Sequence, residues 1–189
     1  MSVLVSYASA HSSTVEIAQQ IADRLLKAGV AAVVRPVASI TSIHQYRAVV
    51  LGSTLVGHEW LTDATTFLQA FADELQRVPV WLFSSAEVAE GDSPGSPPHV
   101  LVPLQDSAAV AHGRRLIRIR DHRQFASTCG RPSWSELRDL FLKICGGSVE
   151  ARADLREIND WVHGIARELQ AIDHARERRR LHLSVRGRP

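Results

Sequence analysis

Hydrophobic and polar residues follow two different periods along the first part of the chain. Residues 3–8 form a short apolar run, which is typical of a strand buried on both faces. Residues 9–14 are small or carry hydroxyl groups, and the stretch that follows places its apolar residues at helical spacing. Those apolar positions are Ile17, Ala18, Ile21, Ala22, Leu25 and Leu26. The pattern predicts a strand, a polar turn and an amphipathic helix that ends at Gly29.

The alternation of strands and helices continues to about residue 120. Three further apolar runs predict strands, at residues 30–37, 48–53 and 79–84. Helical spacing of apolar residues predicts helices at 60–76 and, closed by Gly113, at 104–112. Residues 114–120 alternate between arginine and aliphatic side chains, which predicts a last strand at a sheet edge. Alternating strands and helices form right-handed βαβ units, so we predict an α/β fold with a doubly wound, five-stranded parallel sheet between two helical layers.

The second half of the chain adds three segments to this plan. Residues 86–103 are rich in glycine and proline, which predicts a long loop. Residues 121–147 form an added segment, predicted to be irregular at first and helical from 134 to 145. A final helix is predicted at 155–172, which completes a single domain over residues 1–173. The arginine-rich residues 174–189 are predicted to be a basic, disordered tail.

Composition and charge narrow the class of protein. The chain has 189 residues, of which 45% are hydrophobic and 22% charged, as expected for one globular domain. Neither a membrane-spanning run nor a signal peptide is recognisable, so we expect a cytoplasmic protein. Cys129 and Cys145 lack metal or redox spacing, and the nine histidines form no zinc motif. The net charge of +2 predicts no nucleic-acid partner, whereas the basic tail or the added segment suits peripheral contact with a membrane.

Small and hydroxyl-bearing residues follow three of the predicted strands. The first loop contains Ser9, Ala10, His11, Ser12, Ser13 and Thr14; the second contains Ser53, Thr54, Leu55, Val56, Gly57 and His58; the third begins Ser84, Ser85, Ala86. Ligands of doubly wound sheets bind at the carboxyl ends of the strands, so we expect these loops to meet in one crevice. Hydroxyl groups and free backbone N–H groups at a helix start suit a phosphate, although an ordinary N-cap explains the first loop equally well.

The chain resembles a flavodoxin domain with strand order 2-1-3-4-5, and the resemblance covers nearly its whole length. The residues that carry it are 7–9, 13–18, 49–53, 60–61 and 79–85. Phe125-Ala126, Gly146-Gly147 and Trp161 are further similar to the menaquinone-dependent protoporphyrinogen dehydrogenases of bacteria.

This resemblance implies FMN as the cofactor. The phosphate would lie in the 9–14 loop, and the isoalloxazine would lie between residues 54–58 and the loop that begins at Ser85. It also implies an FMN-dependent oxidoreductase that oxidises a porphyrinogen-like molecule and passes electrons to a quinone. Because the flavin carries the redox chemistry, we expect no catalytic acid or base in the chain.

Three positions depart from the flavodoxin pattern, and all lie in the predicted cofactor loops. Ser12 replaces a common glycine of the phosphate loop, Val56 replaces an aromatic residue that stacks on the flavin, and Ala86 replaces a glycine. The alternative is therefore a flavodoxin fold with a degenerate cofactor site, acting as a non-catalytic binding or regulatory module. A response-regulator receiver domain is excluded, because the loops after strands one and three lack the carboxylates that it needs. The Walker-type nucleotide loop is also absent.

Overall fold

The computed structural model describes residues 1–9, 12–56, 59–87, 107–127 and 149–186, and within them a sheet forms the centre of the molecule. Its strands are β1 (Ser2–Ala8), β2 (Ala32–Pro36), β3 (Tyr46–Val56), β4 (Glu59–Trp60), β5 (Val80–Glu87) and β6 (Ile119–Ser127). The parallel strands follow the order β2-β1-β3-β5-β6, and the two-residue β4 pairs antiparallel with the end of β3. With β4 set aside, this is the predicted order 2-1-3-4-5, and the predicted fold class is confirmed.

Helices cover both faces of the sheet. They are α1 (Ser12–Lys27), α2 (Thr62–Ala70), α3 (Ala72–Leu75), α4 (Ala108–Leu116) and α5 (Val149–Arg186), and a 3-10 turn spans Val37–Ser39. One core cluster joins α1 and α5 to alternate strand residues such as Val50 and Phe83. The other cluster joins α2 and α4 to the intervening residues, such as Leu51 and Leu82. Strands covered in this way must be apolar on both sides, which explains their continuous hydrophobic runs.

The predicted helix and strand boundaries are wrong at several places. β3 continues to Val56 and turns back into β4, so residues 54–56 belong to a strand instead of a loop. The predicted helix 60–76 is divided at Phe71. Gly113 lies inside α4 and does not end it. Its position against Leu68 leaves little room for a side chain, which explains why a glycine stands there.

The position of the last strand is also corrected. Residues 114–116 end α4, and β6 is formed by Ile119–Ser127, of which 121–127 were predicted to be irregular. Parallel pairing with β5 from His122 to Ser127 determines where this strand lies. The alternation of polar and apolar residues could not reveal the position of β6. That position depends on backbone hydrogen bonds to the neighbouring strand β5.

The final helix is longer than predicted. It continues to Arg186, so the prediction of a disordered tail is wrong for residues 174–186. Residues 165–186 contain neither glycine nor proline and include many good helix formers, which explains the continuation. Most of the predicted loop 86–103, the end of the added segment 121–147, including its predicted helix 134–145, and residues 187–189 lie outside the described residues. Within the described part of the chain, no helix is long and apolar enough to cross a membrane.

Candidate functional site

The carboxyl ends of β3 and β5 lie side by side, next to the start of α1. Ser53 pairs with Ser84, and Thr54 pairs with Ser85. The hydroxyl groups of Thr14 and Thr54 are hydrogen-bonded to each other, with 2.7 Å between the oxygen atoms, and both residues are buried. Segments 40 residues apart in sequence therefore meet at one edge of the sheet. This is the edge at which doubly wound sheets bind their ligands.

Close to this edge, the ring of Phe83 packs tightly against Gly52 of β3. A Cβ atom at Gly52 would lie 2.0 Å from Cζ of Phe83, so only glycine fits there. Gly52 and Thr54 are two residues apart on a strand and share one face of the sheet. The Phe83 ring thus packs directly below the level of the Thr14–Thr54 contact.

On the face covered by α2 and α4, the hydroxyl group of Ser84 joins three elements. Nε1 of Trp60 donates to Ser84 Oγ at 2.8 Å, and Nε2 of His122 lies 2.8 Å from the same oxygen. The Trp60 and His122 rings meet edge to face, with centroids 6.4 Å apart. Sequence reasoning missed His122, because residues 121–127 were not predicted as a strand. No alternation of apolar and polar residues marks this stretch, because residues 120–124 are all polar.

Ser53, on the same face, is also hydrogen-bonded within the protein. Its hydroxyl group donates to the carbonyl oxygen of Thr54 at 2.9 Å and accepts from the backbone N–H of Leu61 at 3.0 Å. Together with Ser84, it ties the ends of β3 and β5 to β4, to β6 and to the residue before α2.

Two hydroxyl groups on the opposite face have no such partners. Oγ of Ser13 and Oγ of Ser85 are buried, and neither has a hydrogen-bond partner among the described residues. An unsatisfied buried hydroxyl group costs about 1–3 kcal/mol, so these two oxygens have an unmet capacity to bind a polar atom. Ser13 lies in the first turn of α1, which contains no acidic residue. The backbone N–H groups there favour an anion.

The remaining predicted site residues occupy the rim of this edge or fall outside the described residues. Ser9 follows β1 and is partly buried, and Ser12 begins α1. Leu55 pairs with both Trp60 and Ala86, and Val56 is 56% exposed at the end of β3. The predicted residues that lie outside the described ones are Ala10, His11, Gly57 and His58. The described edge thus combines buried hydroxyl groups, the start of a helix and an exposed aliphatic side chain.

Comparisons with known proteins agree with this architecture. Residues 4–97 match the family model of the flavodoxin domain. No curated protein matches the sequence. Rubredoxin oxygen:oxidoreductase from Desulfovibrio gigas superposes with a TM-score of 0.60 at 17% identity over 90% of this chain, which spans only 36% of that protein.

Two complete flavodoxins superpose over 90% of this chain and 99% of their own lengths. One, from the domain Archaea, has a TM-score of 0.55 and 15% identity. The other, a variant of the flavodoxin from Pseudomonas aeruginosa, has a TM-score of 0.57 and 16% identity. The matched residues, the strand order and these superpositions together show that this chain has a flavodoxin-like fold.

Proposed function

We propose that the chain binds FMN at the carboxyl edge of its sheet and acts as a redox protein. The observation that carries the proposal is the pair of buried hydroxyl groups without partners, on Ser13 and Ser85. They lie on either side of the Thr14–Thr54 contact, next in sequence to Thr14 and paired in register with Thr54. A ligand with polar atoms at both places would satisfy them and remove the cost of leaving them buried.

The start of α1 suits the phosphate end of FMN. The first helical N–H groups have no acceptor inside a helix, and they carry partial positive charge. The Ser13 hydroxyl group adds a donor within that first turn, where no carboxylate would repel an anion. Residues 9–14 would therefore hold the phosphate, and the hydroxyl groups of this loop would orient it.

The ends of β3 and β5 suit the flavin end. The unpartnered Ser85 hydroxyl group would reach a ring heteroatom once the side chains that bury it move aside, and the exposed Val56 side chain offers apolar contact at the rim. Without an aromatic residue there, stacking worth about 0.5–1.5 kcal/mol is missing, so we expect weaker binding than an aromatic residue would give. The bound flavin would supply the one- and two-electron chemistry, and the protein would bind, orient and shield it.

A more specific proposal concerns the reaction. In it, a porphyrinogen-like molecule would be oxidised and a quinone would accept the electrons. It is supported only by the resemblance of residues 125–126, 146–147 and 161 to protoporphyrinogen dehydrogenases. Mixing the FMN-loaded protein with protoporphyrinogen and a menaquinone analogue tests it, with porphyrin fluorescence as the readout. Porphyrin formation no faster than with free FMN would eliminate this substrate and leave the proposed FMN site intact.

One observation favours a second function. Thr14 and Thr54 satisfy each other, and Ser53 and Ser84 are hydrogen-bonded within the protein, so much of this edge is complete without a ligand. The second candidate is a flavodoxin fold that has become a non-redox binding or regulatory module.

Titration of the full chain with FMN and with riboflavin separates the two functions, with quenching of flavin fluorescence as the readout. We expect saturable quenching by the unmodified protein and about tenfold weaker binding of FMN by Ser13→Ala. Riboflavin lacks the phosphate, so its weaker binding should be the same for Ser13→Ala and for the unmodified protein. Ser42→Ala, which alters a serine before β3 and away from this edge, is the matched control.

A second pair of variants tests the departures from the flavodoxin pattern. Val56→Tyr should strengthen FMN binding up to about tenfold by restoring stacking. Ser12→Gly should leave it nearly unchanged, because Ser12 begins α1, where a helical backbone needs no positive φ. Unquenched FMN fluorescence with the unmodified protein and with both variants would reject the FMN proposal in favour of the binding module.

A further inference from the structure

A cavity lies at the amino edge of the sheet, opposite the candidate cofactor site. It has a volume of about 260 Å³ and is lined by residues from the start of β3, the segment around α3 and the helix α5. Arg47 in this cavity and Thr54 at the candidate cofactor site are separated by seven steps along β3, or roughly 23 Å at the usual rise of a strand. The cavity is therefore separate from the proposed FMN site, and a ligand in it would be a different molecule.

Three arginine side chains line this cavity: Arg47, Arg77 and Arg176. The Arg47 guanidinium group forms an ion pair with Asp173 of α5, and only 16% of its side chain is exposed. Its Nε atom is nevertheless buried without a hydrogen-bond partner among the described residues. Because this atom is enclosed by protein, a ligand in the cavity would meet the Arg77 and Arg176 guanidinium groups instead.

The other two guanidinium groups add positive charge that is only partly balanced. Neither Arg77 nor Arg176 forms a side-chain hydrogen bond or an ion pair with another described residue. Glu74 is the acidic side chain in the lining, and it lies beyond ion-pair distance of both. Because Asp173 already balances Arg47, the arginine and acidic side chains of the lining leave an excess of one positive charge. A ligand with a single negative charge would neutralise it.

Apart from His44, the other side chains of the lining are mostly apolar, and the volume of the cavity limits the size of a ligand. Ile43 and Tyr46 are 3% and 9% exposed, and with the partly buried Val78 they supply hydrophobic surface. A volume of 260 Å³ holds roughly nine water-sized groups, at about 30 Å³ each. This is smaller than the usual site for a drug-sized molecule. Inorganic phosphate would leave the apolar wall uncovered, and a nucleotide would not fit.

We propose that this cavity binds a small organic carboxylate with an apolar body. The carboxylate would accept hydrogen bonds from the Arg77 and Arg176 guanidinium groups, whose planar geometry matches its two oxygens, and the body would pack against Ile43, Tyr46 and Val78. Arg176 lies on the same helix as Asp173, the partner of Arg47. The ligand would therefore connect α5 to β3 and to the segment after α3.

Isothermal titration calorimetry of the full chain with benzoate tests the proposal, because benzoate matches the charge and size derived above. We expect saturable binding of one benzoate per chain, no detectable binding of the uncharged benzyl alcohol, and weaker binding of inorganic phosphate. Arg77→Gln and Arg176→Gln should each weaken benzoate binding about tenfold. Arg178→Gln, an exposed arginine on the same helix that does not line the cavity, should leave it unchanged.

The same measurements can overturn the proposal. Equal affinities for benzoate and benzyl alcohol would show that the arginine residues select no anion, and phosphate binding as tight as that of benzoate would show that the apolar wall contributes nothing. Weakening by Arg178→Gln equal to that by the two cavity variants would reduce the effect to general surface charge. Binding of a glutamate-rich peptide without binding of benzoate would assign this surface to an acidic protein partner instead.

Discussion

The two faces of the sheet differ in how they satisfy hydroxyl groups at the carboxyl edge. On the face covered by α2 and α4, Ser53 and Ser84 each have two partners. On the face covered by α1 and α5, the hydroxyl groups of Ser13 and Ser85 are buried without one among the described residues. Ser84 and Ser85 are neighbours on one strand, so side-chain direction alone separates them. The hydroxyl groups of the first face are hydrogen-bonded within the protein, whereas two on the other face have no partner among the described residues.

The largest expected effect comes from adding a side chain at Gly52, where the Phe83 ring packs closely against β3. Gly52→Ala should destabilise the protein by about 3 kcal/mol, because a methyl group 2.0 Å from the Phe83 ring must displace it from the core. Chemical denaturation measures the loss. Adding Phe83→Leu to this variant should recover part of it, since the smaller side chain leaves room for the methyl group.

Gly164→Ala is the matched control for Gly52→Ala. No atom lies within 4 Å of a Cβ built at Gly164, which is in the middle of α5. This variant should therefore gain about 0.5–1 kcal/mol from higher helix propensity. A Gly52→Ala variant as stable as the unmodified protein would contradict the packing of Phe83 against β3.

An intermediate effect should distinguish the two adjacent serines directly. Ser84→Ala removes the acceptor of Trp60 Nε1 and should destabilise the protein by about 2 kcal/mol. Ser85→Ala loses no described hydrogen bond and should change stability by less than about 0.5 kcal/mol or raise it slightly. Both serines are buried in one strand, so each variant controls for the other. Equal losses in thermal or chemical denaturation would eliminate the difference between the faces.

A smaller effect than that of Ser84→Ala concerns the contact between the two buried threonines. Thr14→Val and Thr54→Val should each cost about 1 kcal/mol, because each leaves the other hydroxyl group unpaired. The double variant should cost less than the sum, with a coupling energy of about 1 kcal/mol in a double-mutant cycle. Strictly additive losses would mean that the two hydroxyl groups do not depend on each other.

Much of the fold was predictable because burial on both faces leaves a strong local signal. The apolar runs around Val5, Val50 and Leu82 and the helical spacing around Ile21 predicted the central strands and α1. β6 was not predictable in the same way, because its position depends on pairing with β5. The sequence predicts too early an end for α5, because clustered charge is typical of disordered tails, whereas residues 165–186 contain no helix breaker.

The sequence by itself determined the alternation of strands and helices and the presence of hydroxyl groups after three strands, because both depend on residue type and spacing. Only the tertiary structure decided which hydroxyl groups remain unsatisfied. Trp60 and His122 reach Ser84 from β4 and β6, whereas Ser85 points to the other face and has no partner among the described residues. Whether a buried serine has a hydrogen-bond partner depends on which side chains other strands and helices place next to it. No local sequence pattern predicts those side chains.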